Sequence, residues 1–593
     1  MENRSERLHN ALSAEKNEIR NAFQQQLTLA PVEQRKAGIL LFPLTIASQD
    51  TAGDFTLIQF TTSFPINDAY FRKGCTIRCQ QGNWKAEGRL LELDDHSGTF
   101  SLQEEDIPNL RDEPVTLQFV PDDRTMQCME LACKLLNDHP QLLEFQAFLT
   151  NEKTVPTLPI VELTGLNQRQ QLAAAAILGK DPVVLIQGPP GTGKTHTLAL
   201  AIQALVNRGE RVVISAPSNT AVDNLCNALV DLQIPLLRVG NEEKIADRIQ
   251  AFTIDGYVER GSEKKMLEHL HKALRKANDL ANKHIRNYTK EAATEKSDAR
   301  KERGILRKEI RKVTQDARQH LIATIPVIAG TPVGIFNALS KETQLDVVIM
   351  DEAGQCPEPL TWLTASFGKR LVLCGDPQQL PPIVFSHQAA QFGLGKSLLE
   401  TAMHEGNTLL LNEQYRMAPE IVASINPWFY NNELLTYFAD RVGELRFVDM
   451  AGYGEGEQQD ETSGSTFHRD EVEIVKTLVE NLGLLPSKTV ILSPYNAQLG
   501  LLKKALPTFR ISTIDAIQGQ EEDTIVISLT RSNMDQSIGF LRDYRRTNVA
   551  ITRAKNRCII VGDSATLGND PFYLQLINFI EENGIYQSAW EFV

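Results

Sequence analysis

Gly188-Pro-Pro-Gly-Thr-Gly-Lys-Thr195 stands between the apolar run Val183-Val-Leu-Ile186 and a helix-like stretch, Thr195–Asn207, that closes at Gly209. Strand, glycine-rich loop and helix in that order turn a G-x-x-x-x-G-K-T match into a phosphate cradle. Gly188, Gly191 and Gly193, with Pro189, Pro190 and Thr192 between them, let backbone N–H groups turn toward phosphate oxygens. Lys194 is expected to reach the β- and γ-phosphates, and the Thr195 hydroxyl to sit on Mg²⁺. The stretch implies a bound nucleoside triphosphate and leaves its use open.

The chain has 593 residues, too many for one core, so roughly three to five domains are expected. The net charge of −14 does not advertise a nucleic-acid binder, yet a local basic groove can sit on an acidic protein. The polar start Met1-Glu-Asn-Arg-Ser-Glu-Arg7 carries no apolar signal core, and no apolar run reaches membrane-spanning length, so a cytoplasmic protein is expected. The eight cysteines lack zinc-ligand spacing and read as reduced structural thiols.

Residues 1–35 read as a polar helix with Leu8, Leu12, Ile19 and Phe23 at helical spacing. Residues 36–121 hold short β-rich runs separated by turn signals such as Gly82-Asn83, the pattern of a small β-barrel. Residues 122–152 return to helix, so the barrel is expected on a helical stalk. Some small barrels bind oligonucleotides and others are inert. Arg72, Lys73, Arg78, Lys85 and Arg89 are therefore either phosphate contacts or solvated charges.

An α/β unit is expected over 153–250 and again over 322–385, interrupted at 251–321 by a helical hairpin. Leu267, Leu270, Leu274, Ala277 and Ala281 form one heptad stripe of that hairpin; Leu306, Ile310, Val313 and Ala317 form the other. In the resumed α/β unit, Leu345–Met350 ends in Asp351-Glu352 and Leu371–Cys374 in Gly375-Asp-Pro-Gln-Gln379. Asp351 suits a water-mediated hold on Mg²⁺, Glu352 the attacking water, Gln379 the γ-phosphate, and Asp376 the same metal shell. Residues 386–593 make a second α/β domain with no phosphate loop of its own. It offers Gln414-Tyr-Arg-Met417, Asp515–Glu521 and Arg545–Lys555 instead, which suits arginine fingers closing on a neighbour's nucleotide.

Taken in order, Gly188–Thr195, Ala216–Asp223, Asp351–Gln355, Gly375–Pro382, Gln414–Met417, Gln518–Asp523 and Asn548–Lys555 resemble the motifs of superfamily 1B helicases, up-frameshift-like branch. That resemblance implies two tandem RecA-like domains, a barrel on a stalk, a helical insert, ATP and Mg²⁺ as cofactors, and 5′-to-3′ movement on single-stranded DNA or RNA; a monomer is expected. It further implies that Gln170 reads adenine, Tyr415 stacks on it, and Glu521 lies near the ribose, with Gly519 also among the nucleotide-binding residues. Arg416 and Arg553 become the γ-phosphate arginines, and Ser218, Asn219, Thr331, Pro494 and Tyr495 line the nucleic-acid track. The zinc-rich and C-terminal appendages of the branch have no counterpart in this sequence, so a bare core is expected. His468 stands where the family often has asparagine. Two other uses of the same motifs stay open: remodelling protein–nucleic-acid complexes without strand separation, and a nucleotide-controlled binding switch.

Overall fold

A computed structural model describes residues 4–52, 55–67, 70–71, 73–103, 107–121, 123–150, 162–282, 290–403, 407–461, 463–517 and 519–592. Arg72 and Gln518, both singled out in the sequence, lie outside the described residues.

The N-terminal helix Arg4–Leu27 buries Leu8, Ala11 and Leu12 against the helix Asp123–Asp138. Both rest on Trp362 and its neighbours in the first α/β domain. Glu358, whose side chain is fully buried, accepts from the Trp362 indole at 3.1 Å and pairs with Arg4 at 3.2 Å and Arg7 at 3.0 Å. A buried carboxylate needs such partners, and these tie the stalk to the domain. Six antiparallel strands close the barrel in the order Leu40–Ala52, Phe55–Thr61, Ser97–Leu102, Trp84–Leu93, Thr76–Gln81, Val115–Phe119. Phe23 of the stalk meets Phe119 of the barrel edge-on at 6.2 Å.

The first α/β sheet is wholly parallel, in the order Thr408–Leu410, Val183–Gln187, Gly368–Gly375, Leu345–Met350, Val212–Ser215, Val327–Gly330, Leu236–Arg238. Its central strands are mostly apolar and buried because helices cover both faces. The strand Thr408–Leu410 corrects the expected boundary at residue 385. It pairs with Val183–Gln187, and Ala389, Leu398, Leu399 and Ala402 join the first domain's core. Residues 387–403 and 407–411 find their apolar partners there, so the second domain starts after Leu411.

The second sheet is also parallel, ordered Arg510–Ser512, Thr489–Leu492, Glu522–Ser528, Ala554–Gly562, Glu444–Asp449, Ile585–Ser588. The insert consists of Lys264–Asn282 and Lys290–Thr324, joined through Leu270, Leu274, Ala277 and Leu306.

Candidate nucleotide site

The phosphate loop lies at the carboxyl end of Val183–Gln187, where the Gly188 amide donates to Gly375 O at 2.9 Å and so fixes the loop to the neighbouring strand. Lys194 Nζ donates to Gly188 O at 2.7 Å and stands 4.0 Å from Glu352 Oε1. Two strands away, Asp351 is 5% exposed, and burial beside the Glu352 charge pushes its carboxyl up to about 7. Glu352 occupies left-handed backbone at φ 51°, and its carboxylate accepts from Gln355 Nε2 at 2.8 Å. Backbone strain of this kind concentrates where a side chain must be aimed.

A cavity of about 550 Å³ joins these groups to the second domain, a size suited to a nucleotide. Pro189 to Thr195, Asp351, Glu352 and Gln379 line it from one side; Tyr415, Arg416, Gly519, Glu521 and Arg553 line it from the other. Gly188 sits at the foot of the loop, outside the lining.

Arg553 is buried, and its guanidinium reaches Val549 O at 3.0 Å, Gln520 O at 3.3 Å and Gln379 Oε1 at 3.4 Å. Burial, with Arg416 nearby, pushes it down to about 9. An anion between the two arginines would relieve that cost. Gln379 in turn donates to Asp376 Oδ2 at 3.1 Å, and Tyr430 donates to the same oxygen at 2.9 Å. Asn548 bridges the two domains, donating to Gln378 O at 2.7 Å and to the Tyr430 hydroxyl at 3.0 Å. Asp376 thus holds Gln379 and Tyr430 in place and does not itself line the cavity. Tyr430 carried no motif signal, and only the fold brings it here.

Glu521 holds Arg416 through Nε at 2.5 Å and Lys555 at 2.9 Å, so its charge sits on an arginine that lines the cavity. Those cations hold its carboxyl below the usual range despite partial burial. Tyr415 is oriented by a triad that sequence reasoning missed: Asn167 Nδ2 donates to its hydroxyl at 2.8 Å and to Glu413 Oε2 at 2.8 Å. The Tyr437 ring backs it at 4.8 Å between centroids. Gln170 is 4% exposed, donates to Thr192 O at 3.0 Å and accepts from Asn167 N at 2.9 Å. It braces the phosphate loop with both ends of its amide.

The five expected track residues divide. Ser218 and Thr331 are helix N-caps, accepting from Ala221 N and Gly334 N, and Ser218 also lines the nucleotide cavity. Asn219 accepts from the buried Arg238 at 2.9 Å, an internal bond that also involves Asp223. Pro494 is half-buried, while Tyr495 is 3% exposed and has no free face for a base. His468 is fully buried and caps Arg469–Asn481 through Nδ1, which accepts from Glu471 N at 3.2 Å. In the barrel, Arg78 pairs with Glu87 at 2.8 Å, while Lys73, Lys85 and Arg89 are exposed.

Thr195 and Asp351 offer hard oxygen donors in the same cavity, the donor set Mg²⁺ takes alongside substrate phosphates. A buried carboxylate raised by desolvation is one that a cation stabilises in its charged form, so the residues fit the metal.

Two family profiles described as AAA domain match residues 165–387 and 394–565. The DNA-binding protein SMUBP-2 of Mesocricetus auratus is 28% identical across 97% of this chain and 62% of its own length. The DNA polymerase alpha-associated DNA helicase A of Schizosaccharomyces pombe is 30% identical across 71% of this chain and 67% of its own. A Regulator of nonsense transcripts 1 homolog of Drosophila melanogaster is 32% identical across 71% and 36% respectively. This chain therefore spans less than two thirds of the SMUBP-2 proteins it resembles. Among solved structures, the arterivirus nonstructural protein 10 helicase superposes with a TM-score of 0.39 at 13% identity, over 89% of this chain and 79% of that one.

Proposed function

The chain belongs to the superfamily 1B helicases of the up-frameshift-like branch, and from that premise we propose that it is an ATP-driven, 5′-to-3′ helicase or translocase on single-stranded nucleic acid. The observation that carries the reading is the shared cavity: Lys194, Asp351, Glu352 and Gln379 face Arg416 and Arg553 from a second domain without a phosphate loop.

In this reading Lys194 leaves Gly188 O for the β- and γ-phosphate oxygens. Glu352, left-handed and held by Gln355, orients the attacking water and takes its proton. Arg416 and Arg553 neutralise charge growing on the transferred phosphoryl, and Gln379 links that event to Arg553. Thr195 and Asp351 would hold Mg²⁺, which supplies charge neutralisation on the phosphate oxygens when bound. Tyr415, fixed by Asn167 and Glu413, offers its ring to the base. Loss of the γ-phosphate removes what the arginines share with the loop, so the domains move apart and closure with fresh ATP advances the strand.

Ser218, Thr331 and Pro494 are the track residues whose placement leaves them open to this role; Asn219 and Tyr495 act as internal supports. No helix among the described residues is long and apolar enough to cross a membrane. The reading takes the protein as a cytoplasmic monomer.

Duplexes with a 5′ or a 3′ single-stranded tail, in DNA and RNA, test this. ATP-dependent strand release from the 5′-tailed duplex alone is expected. Nucleic-acid-stimulated hydrolysis without release from any duplex would instead favour a complex-remodelling ATPase.

A further inference from the structure

The second domain presents a feature that its nucleotide chemistry does not use. Glu521 and Arg553 immediately precede the strands Glu522–Ser528 and Ala554–Gly562, so the ATP-facing residues sit at the amino ends of these two strands. Leu529-Thr-Arg531 follows the carboxyl end of the first strand, roughly 20 Å away at ~3.3 Å per residue. There Phe540 is 64% exposed while the next residue, Leu541, is fully buried. A large aromatic side chain held out by a buried neighbour is a fixed feature of the surface, since the turn Gly539–Arg542 cannot roll it inward without extracting Leu541.

The support beneath Phe540 is built. Its ring lies 5.9 Å from that of Tyr495, which is buried. The Arg531 guanidinium stands over Tyr495, its Nη1 3.4 Å from the hydroxyl, and Glu457 pins the same guanidinium at 2.9 Å. A Cβ at Gly539 would lie 2.4 Å from Arg531 Nη1, so the turn packs directly onto this cation. Thr530, at the base, takes a left-handed backbone at φ 71°, unusual for a β-branched residue, and its amide donates to the buried Glu471. Strain held in place by a buried acceptor is a mark of functional turns.

The charge beside the ring is also distinctive. Arg545 and Arg546, further along, each face carboxylates: Asp543 and Glu400 for one, Asp543 and Asp515 for the other. Arg542 is exposed, and among the described residues no carboxylate lies within ion-pair distance of it. An exposed aromatic face two residues from an unpaired arginine matches a base and its phosphate in single-stranded nucleic acid.

We propose that Phe540 stacks on a base of the bound strand, with Arg542 on the adjoining phosphate, and that Tyr495, expected from the family resemblance to line the nucleic-acid track, is the platform beneath it. The assignment rests on the helicase reading. It places a base contact at the far end of the strands whose near ends carry Glu521 and Arg553, so movement of this domain on ATP turnover carries the base with it.

The test compares affinity for oligothymidylate with affinity for an abasic oligonucleotide of equal length at fixed salt. The ratio of the two is insensitive to the fraction of correctly folded protein. Wild type is expected to favour the base-bearing strand, and Phe540→Ala to lose roughly 5- to 150-fold of that preference, the range for one stacked base. Phe540→Tyr is expected to retain it, and Arg542→Gln to weaken both oligonucleotides alike with a shallower salt dependence. An unchanged ratio in Phe540→Ala, with wild type binding well, would overturn the assignment and leave the helicase reading standing. Failure of wild type to bind either oligonucleotide would overturn the helicase reading and this assignment with it.

Discussion

The Tyr415 amide donates to the Gly191 carbonyl at 2.8 Å, so the phosphate loop of one domain is bonded through its main chain to the nucleotide segment of the other. Nothing larger than hydrogen fits at that junction: Gly191 has φ +77°, and a Cβ there would lie 2.7 Å from Arg416 Cβ. Gly191→Ala is expected to lower ATP turnover about tenfold or more, since left-handed alanine alone costs on the order of 1–2 kcal/mol. Steady-state phosphate release, with a melting curve to show that the variant folds, checks this. A wild-type rate would mean that the domains need not meet here during turnover.

Lys194 and Glu352 should separate by mechanism. Lys194→Ala removes the cation for the phosphates and is expected to weaken nucleotide binding and abolish turnover. Glu352→Gln keeps the shape and the link to Gln355, so it should bind ATP yet hydrolyse it roughly 10²–10⁴-fold more slowly, the range for losing a general base. Fluorescent-nucleotide titration beside phosphate release distinguishes the two.

Arg553 is buried and depressed to about 9, and it touches Gln379 across the domain boundary. Arg553→Ala should therefore lose rate, by roughly 10³–10⁵, far more than affinity. Arg553→Lys should recover little, because one ammonium cannot reach Val549 O, Gln520 O and Gln379 together. Comparing kcat with KM for both variants decides whether the contact acts in the transition state or in binding.

Stability should depend on pH through Glu471. Burial pushes its carboxyl up to about 8, against the hydrogen bonds from Ser528 and Thr530. Between the ordinary carboxylate value and about pH 8 the folded protein holds a proton that the unfolded chain has released. Stability from this group therefore falls as pH rises through that window and levels off above it. Glu471→Gln, neutral at every pH, should flatten the decline in melting temperature between pH 5 and 8.5. An equal slope in both proteins would place the titration elsewhere.

Motif chemistry was readable wherever a residue acts through its own type and its position beside a strand. Lys194, Asp351, Glu352, Arg416 and Arg553 converge on one cavity although they are scattered over more than half the chain. What escaped was partnership across the fold. The strand Thr408–Leu410 has three residues, too few for a period, and its membership of the first sheet is decided by the open edge of Val183–Gln187. Gln170 matches a base-reading position, yet its amide is taken up by Thr192 O and Asn167 N, bonds that follow from packing the Gln168–Ile177 helix against the phosphate loop. Tyr495 carries an aromatic signal that burial beneath Phe540 overrides.

The most direct test of an ATP site coupled to a bound strand is steady-state hydrolysis with no nucleic acid, with single-stranded RNA and with matched single-stranded DNA. Salt is held fixed because backbone binding depends steeply on it, and Glu352→Gln serves as the blank. The account predicts that at least one polymer raises turnover severalfold in wild type and leaves Glu352→Gln silent. Equal turnover with and without either polymer, in protein that binds ATP, would contradict it.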